Sequence, residues 1–76
     1  MSTEITIPQL EMAMTAGTLS EWLVADGTAV SEGDPIYVLE TGKATQDIVA
    51  PVSGKLKRLG EVGVEYPVGT VIGTIA

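Results

Sequence analysis

The 76-residue chain contains no cysteine and no histidine, and it carries only four cations against ten carboxylates. Without cysteine it can build neither a disulfide framework nor a thiolate metal site. Without histidine it lacks the commonest general base and the commonest metal ligand, so no metal site is assigned. No apolar run approaches the roughly 20 residues that span a bilayer, and no signal peptide opens the sequence. A soluble domain of the cytoplasm, or of a mitochondrial matrix in a eukaryote, is therefore the expectation. The net charge of −6 argues against nucleic acid and anionic membranes as partners. A chain this short makes one domain, 1–76, with too little material for two cores or for enclosing a substrate.

What is present is β-forming. Valine, isoleucine and threonine supply 24 of the 76 residues, and glycine and proline recur as punctuation. Strands are expected near 3–8, 18–24, 36–40, 45–50, 55–59 and 71–75, with short pieces near 29–30 and 66–67. The competing reading is a helix over 16–25, where Leu19, Trp22 and Leu23 have helical spacing. Trp22, Leu19, Leu23, Ile36, Val38, Ile48, Val71 and Ile75 are the core candidates. A weak repeat runs through the chain. Gly17, Leu19 and Trp22 match Gly54, Leu56 and Leu59 at one spacing. Gly33, Ile36 and Leu39 match Gly69, Ile72 and Ile75 at a spacing one residue shorter. Two similar four-strand halves, each burying its apolar face against the other, predict an all-β fold, a small barrel or sandwich.

Lys43 stands apart. It is the only cation in the first 54 residues, and it sits in Glu40-Thr41-Gly42-Lys43-Ala44-Thr45 between two strand-like runs. Gly42 supplies turn-compatible backbone there, so a hairpin tip is expected. The other cations, Lys55, Lys57 and Arg58, cluster after Gly54. A solvated turn lysine is the plain reading of Lys43, and a presented group is the functional one.

Asp26-Gly27, Val30, Gly33-Asp34-Pro35-Ile36, Glu40-Thr41-Gly42-Lys43-Ala44, Ala50-Pro51 and Gly54, taken in order and spacing, resemble the lipoyl domains of 2-oxo acid dehydrogenase complexes, within the biotinyl/lipoyl carrier superfamily. The similarity runs from about Ile5 to Ile75, and the fold it implies is a flattened β-barrel or sandwich of two four-stranded antiparallel sheets with pseudo-two-fold symmetry, in agreement with the repeat. The segment from Pro8 to Leu23 resembles the start of acyltransferase lipoyl domains, particularly of the acetoin type. The resemblance implies a covalent carrier with lipoate in amide linkage to Lys43 and turn residues Thr41, Gly42 and Ala44 around it. It also implies a monomeric, non-catalytic domain. Its implied partners are a lipoate-attaching ligase or transferase, a 2-oxo acid dehydrogenase, an acyltransferase core and a dihydrolipoamide dehydrogenase. The family usually has aspartate where this chain has Gly42. Biotinyl domains typically flank their lysine with methionines, a pattern that Gly42 and Ala44 do not fit. Biotin in a carboxylase is the alternative cofactor, and an unmodified interaction module of the same shape is a third reading.

Elementary chemistry fits a carrier. A lysine amine titrates near 10.4, so roughly one in a few thousand is neutral at pH 7. None of the flanking side chains is of a type that lowers this strongly. The amine is thus expected to be inert until a ligase acylates it. Met12 and Met14 are read equally as partner-facing or packed. Glu11, Glu32, Asp34, Glu40 and Asp47 are expected on solvated faces, and Asp26-Gly27 and Asp34-Pro35 in turns.

Overall fold

The computed structural model describes residues 2–10, 12–42 and 44–76. Eight strands follow in chain order: β1 (Thr3–Thr6), β2 (Ala16–Trp22), β3 (Ala29–Val30), β4 (Pro35–Glu40), β5 (Thr45–Val49), β6 (Gly54–Arg58), β7 (Glu65–Pro67) and β8 (Val71–Ile75). They form two four-stranded antiparallel sheets, ordered β1-β8-β6-β3 and β5-β4-β2-β7. Residues 16–22 are strand, not helix: their burial alternates, with Gly17, Leu19 and Trp22 inward. That alternation buries one face only, as a sandwich sheet requires.

The two halves of the chain are related by a pseudo-two-fold operation that exchanges β1–β4 with β5–β8. Leu19 faces Leu39 across β2 and β4, and Leu56 faces Ile75 across β6 and β8. All four are 0–1% exposed and meet in one core with Ile7, Ile36, Tyr37 and Ile72. Turn bonds repeat with the strands. Gly27 N–H donates to Leu56 O at 2.7 Å and Gly63 N–H to Leu19 O at 2.7 Å; Gly33 donates to Ala50 O and Gly69 to Ile7 O, both at 2.9 Å. These four glycines have φ between 82° and 91°, a left-handed backbone that a side chain would strain.

The expected burial of Leu23 fails, and so does the match of Trp22 with Leu59: Leu23 and Leu59 are 41% and 51% exposed. β2 carries a bulge between Leu19 and Glu21, so Ser20 is an extra residue opposite β4. The repeat spacing therefore shortens at Ser20, before the tryptophan. Glu21 faces Val38 as Lys57 faces Thr74, and Trp22 faces Tyr37 as Arg58 faces Gly73. An inserted residue turns every later side chain to the opposite face. Leu23 and Leu59 become counterparts on the outside, where their N–H groups donate to Ile36 O and Ile72 O at 2.8 and 2.9 Å. Val71 is also exposed, at 36%, because its register with Thr6 shifts at a bulge that directs Ile72 inward. Ile36 is the equivalent bulged residue of β4, which is how Ile36 and Tyr37 are both buried in succession.

Trp22 seals one end of this core. Its ring lies 5.5 Å from that of Tyr37, its Nε1–H donates to Gly60 O at 3.1 Å, and the Arg58 guanidinium sits 5.4 Å above it. Truncation to alanine removes all three contacts and opens a cavity, at about 3–5 kcal/mol. A domain this small holds little more than that in total. Trp22→Ala is expected to be largely unfolded at room temperature by thermal melting, and an unshifted melt would contradict the packing described.

Tyr37 is fully buried, and desolvation raises its pKa from 10.0 to about 12. The unfolded chain gives up this proton first, so the stabilisation is complete below pH 10 and is lost as pH rises toward 12. In a Tyr66→Phe background the tyrosinate absorbance of the folded protein should rise only on approach to pH 12, together with a falling denaturant midpoint. Ionisation near pH 10 with the fold intact would show that Tyr37 is hydrated.

Candidate functional site

β4 and β5 form a hairpin whose ladder runs from Pro35 opposite Val49 to Glu40 opposite Thr45. Beyond the last pair, the Thr41 N–H donates to the Ala44 carbonyl at 2.8 Å. The Thr41 hydroxyl adds a second link: Oγ1 donates to the same carbonyl at 3.1 Å and accepts the Ala44 N–H at 3.3 Å. Gly42 and Lys43 are therefore flanked, in sequence, by a pair joined by three hydrogen bonds. Lys43 itself, the candidate attachment residue, lies outside the described residues. Gly42 and Ala44 are exposed, and Thr41 is half-buried.

Gly42 stands in open space. A Cβ built there meets nothing within 4 Å, and its φ lies outside the left-handed range. On one flank of the turn lies a shallow depression of about 220 Å³, lined by Ala16 and Thr18 of β2, Glu40, Thr41, Gly42 and Glu65 of β7. Small-molecule sites usually begin at roughly 300 Å³ and enclose most of their ligand. This depression is a surface feature beside the turn. Its assembly was hidden in the sequence, because Ala16, Thr18 and Glu65 reach the turn only through the register that sets Thr18 between Glu40 and Glu65. Alternation along each strand could have suggested the faces but not this pairing.

The remaining candidates are separated by the fold. Lys55 and Lys57 are exposed but lie within β6, where Lys55 exchanges backbone bonds with Ala76 at 2.8 and 3.0 Å and Lys57 pairs with Thr74. The two loop methionines differ: Met12 is 97% exposed, whereas Met14 is 5% exposed and its Sδ accepts the Leu10 N–H at 3.4 Å. Glu32, Asp34, Glu40 and Asp47 lie on exposed faces as expected, and Glu11 is outside the described residues. Asp34 and Asp26 do local work, accepting the Ser31 and Arg58 N–H groups at 2.9 and 2.8 Å.

Comparison with known proteins agrees with this architecture. Residues 3–75 match the biotin/lipoyl family model described as biotin-requiring enzyme. The dihydrolipoyllysine-residue acetyltransferase component of the acetoin cleaving system of Cupriavidus necator is 36% identical over 95% of this chain and 20% of its own length. The lipoamide acyltransferase component of the branched-chain alpha-keto acid dehydrogenase complex of Bacillus subtilis is 39% identical over 91% of this chain and 16% of its own. This chain thus spans a fifth or less of these curated relatives. The solved lipoyl domain of the 2-oxoglutarate dehydrogenase complex of Azotobacter vinelandii has the same fold, with a TM-score of 0.79, 23% identity, and coverage of 96% of this chain and 94% of that one.

The open surroundings of Gly42 yield a prediction. Replacing it by aspartate, the residue that the resemblance leads one to expect, adds a side chain without a clash or a left-handed backbone. Gly42→Asp should shift the unfolding free energy by no more than about 0.5 kcal/mol, the range of ordinary surface changes. A larger loss by denaturant titration would mean that the turn needs glycine.

Proposed function

The chain belongs to the biotin/lipoyl family, and from that premise we propose that it is a carrier domain bearing lipoate in amide linkage to Lys43. The observation that carries the proposal is the position of Lys43 in the β4–β5 connection. It is the one lysine of the chain between strands, whereas Lys55 and Lys57 have their backbones in the β6 ladder. A ligase must draw the lysine side chain and its flanking backbone into an active site, and a short fastened turn allows this without breaking a sheet.

The flanks favour lipoate over biotin. Gly42 and Ala44 stand in place of the paired methionines of biotinyl domains, and the curated relatives named above are dihydrolipoyllysine or lipoamide acyltransferase components. Held in amide linkage to Lys43, lipoate would supply a dithiolane able to carry acyl groups and electrons. This chain supplies what surrounds that chemistry. The sandwich is a rigid body with a surface that partner enzymes can read, and the turn fixes the root of the arm. The small, open depression beside the turn fits presentation better than enclosure, so the domain is proposed to be non-catalytic by itself. Its proposed partners are a lipoate ligase or transferase, a 2-oxo acid or acetoin dehydrogenase, an acyltransferase core and a dihydrolipoamide dehydrogenase, in the cytoplasm or the mitochondrial matrix.

The test is intact-mass and peptide mass spectrometry of protein produced with lipoate available. A single lipoyl adduct on Lys43 is expected, and Lys43→Arg should abolish it without moving the melting temperature. A biotinyl adduct, no adduct, or an adduct persisting on Lys55 or Lys57 in the variant would overturn the proposal.

A further inference from the structure

Thr41 is bound to Ala44 three ways, and the side chain makes two of the three links. The backbone bond, Thr41 N–H to Ala44 O at 2.8 Å, is what any residue at position 41 would provide. The hydroxyl contributes what only serine or threonine could: a donor to the Ala44 carbonyl at 3.1 Å and an acceptor for the Ala44 N–H at 3.3 Å. The residue that follows, Gly42, adds no constraint of its own, since glycine has the widest backbone freedom and its surroundings are empty. An aspartate at that position could bond its own turn through its carboxylate. A turn with glycine beside the lysine lacks this local support, and the fastening falls to Thr41.

We propose that Thr41 Oγ1 is the positioning group for modification of Lys43, holding the turn in the form that the ligase accepts and standing in for the carboxylate that Gly42 lacks. This rests on the lipoate reading above and goes beyond it, because it assigns the order of the turn to one hydroxyl. Ordering a flexible acceptor loop on binding is costly, and a loop fastened beforehand avoids that cost. Without the hydroxyl, the described link from Thr41 to Ala44 is reduced to the backbone bond. The ligase then meets a broader set of backbone shapes, and a smaller fraction is competent.

Three variants of the 76-residue chain test this: Thr41→Val, which keeps the shape and removes the hydroxyl, Thr41→Ser, which keeps the hydroxyl, and Thr41→Val combined with Gly42→Asp. Thr41→Val should lower kcat/KM for lipoylation by a purified lipoate ligase roughly five- to tenfold, the value of one modest hydrogen bond. Thr41→Ser should stay within about twofold of the parent, and Gly42→Asp should return most of the lost rate to Thr41→Val, a coupling that independent sites do not show. Amide hydrogen exchange at Ala44 supplies a readout independent of modification. It should quicken in Thr41→Val and not in Thr41→Ser, while the exchange of core amides such as Leu39 stays unchanged. Equal lipoylation of parent and Thr41→Val, or Thr41→Ser as slow as Thr41→Val, would overturn the role of the hydroxyl. If the parent is not lipoylated at Lys43, the carrier reading itself fails. Unchanged Ala44 exchange in Thr41→Val would then reject the fastening as well, and quickened exchange would uphold it.

Discussion

Each sheet has one apolar face, and only the other sheet can cover it. Leu19 and Leu39 on one side, and Leu56 and Ile75 on the other, meet at the centre with almost no exposure, and the rest of the molecule is arranged around that contact. A half-chain alone would leave its pair in water, so the halves stabilise together or not at all. The symmetry of the contact propagates outward. It sets Ile36 and Ile72 in equivalent bulges and repeats the Gly27 and Gly33 turns at Gly63 and Gly69. It also makes the β4–β5 turn an attachment to a rigid object, since β4 lies in the interior of its sheet between β5 and β2.

The same contact shows why the sequence was readable at one level and not at the next. Alternation and turn residues located all eight strands within a few residues, because a half-buried strand must alternate and a tight turn must admit glycine. They also identified the repeat, since both halves pack the same residue types against each other. The face of each residue after Ser20 was not readable. A one-residue insertion can be absorbed at many points, and only the hydrogen-bond register reveals where. Gly17, Leu19 and Trp22 match Gly54, Leu56 and Leu59 as letters, but the bulge makes Arg58 the pseudo-symmetry counterpart of Trp22. Pseudo-symmetry then breaks where it is sterically obliged to. Tyr37 is matched by Gly73, where an added Cβ would come within 2.8 Å of Lys57 O and 3.4 Å of Trp22 Cη2. One half supplies two aromatic rings, the other supplies the space and a cation that lies over the indole.

For the candidate site, sequence and structure contribute different parts. Lys43 drew attention in the sequence as the one early cation, beside a turn glycine and between strand-like runs, with a solvated turn lysine as the plain alternative. The family resemblance named the cofactor that such a lysine would carry. The means of holding the turn was not legible, because a threonine beside a hairpin is equally well a strand residue, and only distances show its hydroxyl bridging both backbone groups of Ala44. Nor could the sequence bring Thr18 and Glu65 alongside Glu40, which depends on β2 being shared between β4 and β7.

Charge placement adds a last constraint on how such a turn can be used. Three of the four cations lie on β6, in the sheet that does not contain the hairpin, while Glu21, Glu40, Asp47 and Glu65 belong to the sheet that does. A lysine in the β4–β5 connection is therefore the one positive group that this sheet carries in the sequence, and acylation removes it. On the lipoate reading, the ligase meets a turn with one cation against an acidic sheet, whereas every later partner meets the acidic sheet alone. Electrostatic steering falls with ionic strength over about 8–10 Å, so the two kinds of encounter respond differently to salt. A single covalent step thus changes both what the domain carries and which surfaces it attracts. The fold permits this because position 43 falls, in sequence, between the end of β4 and the start of β5, and the sheet-to-sheet contact is made by other residues.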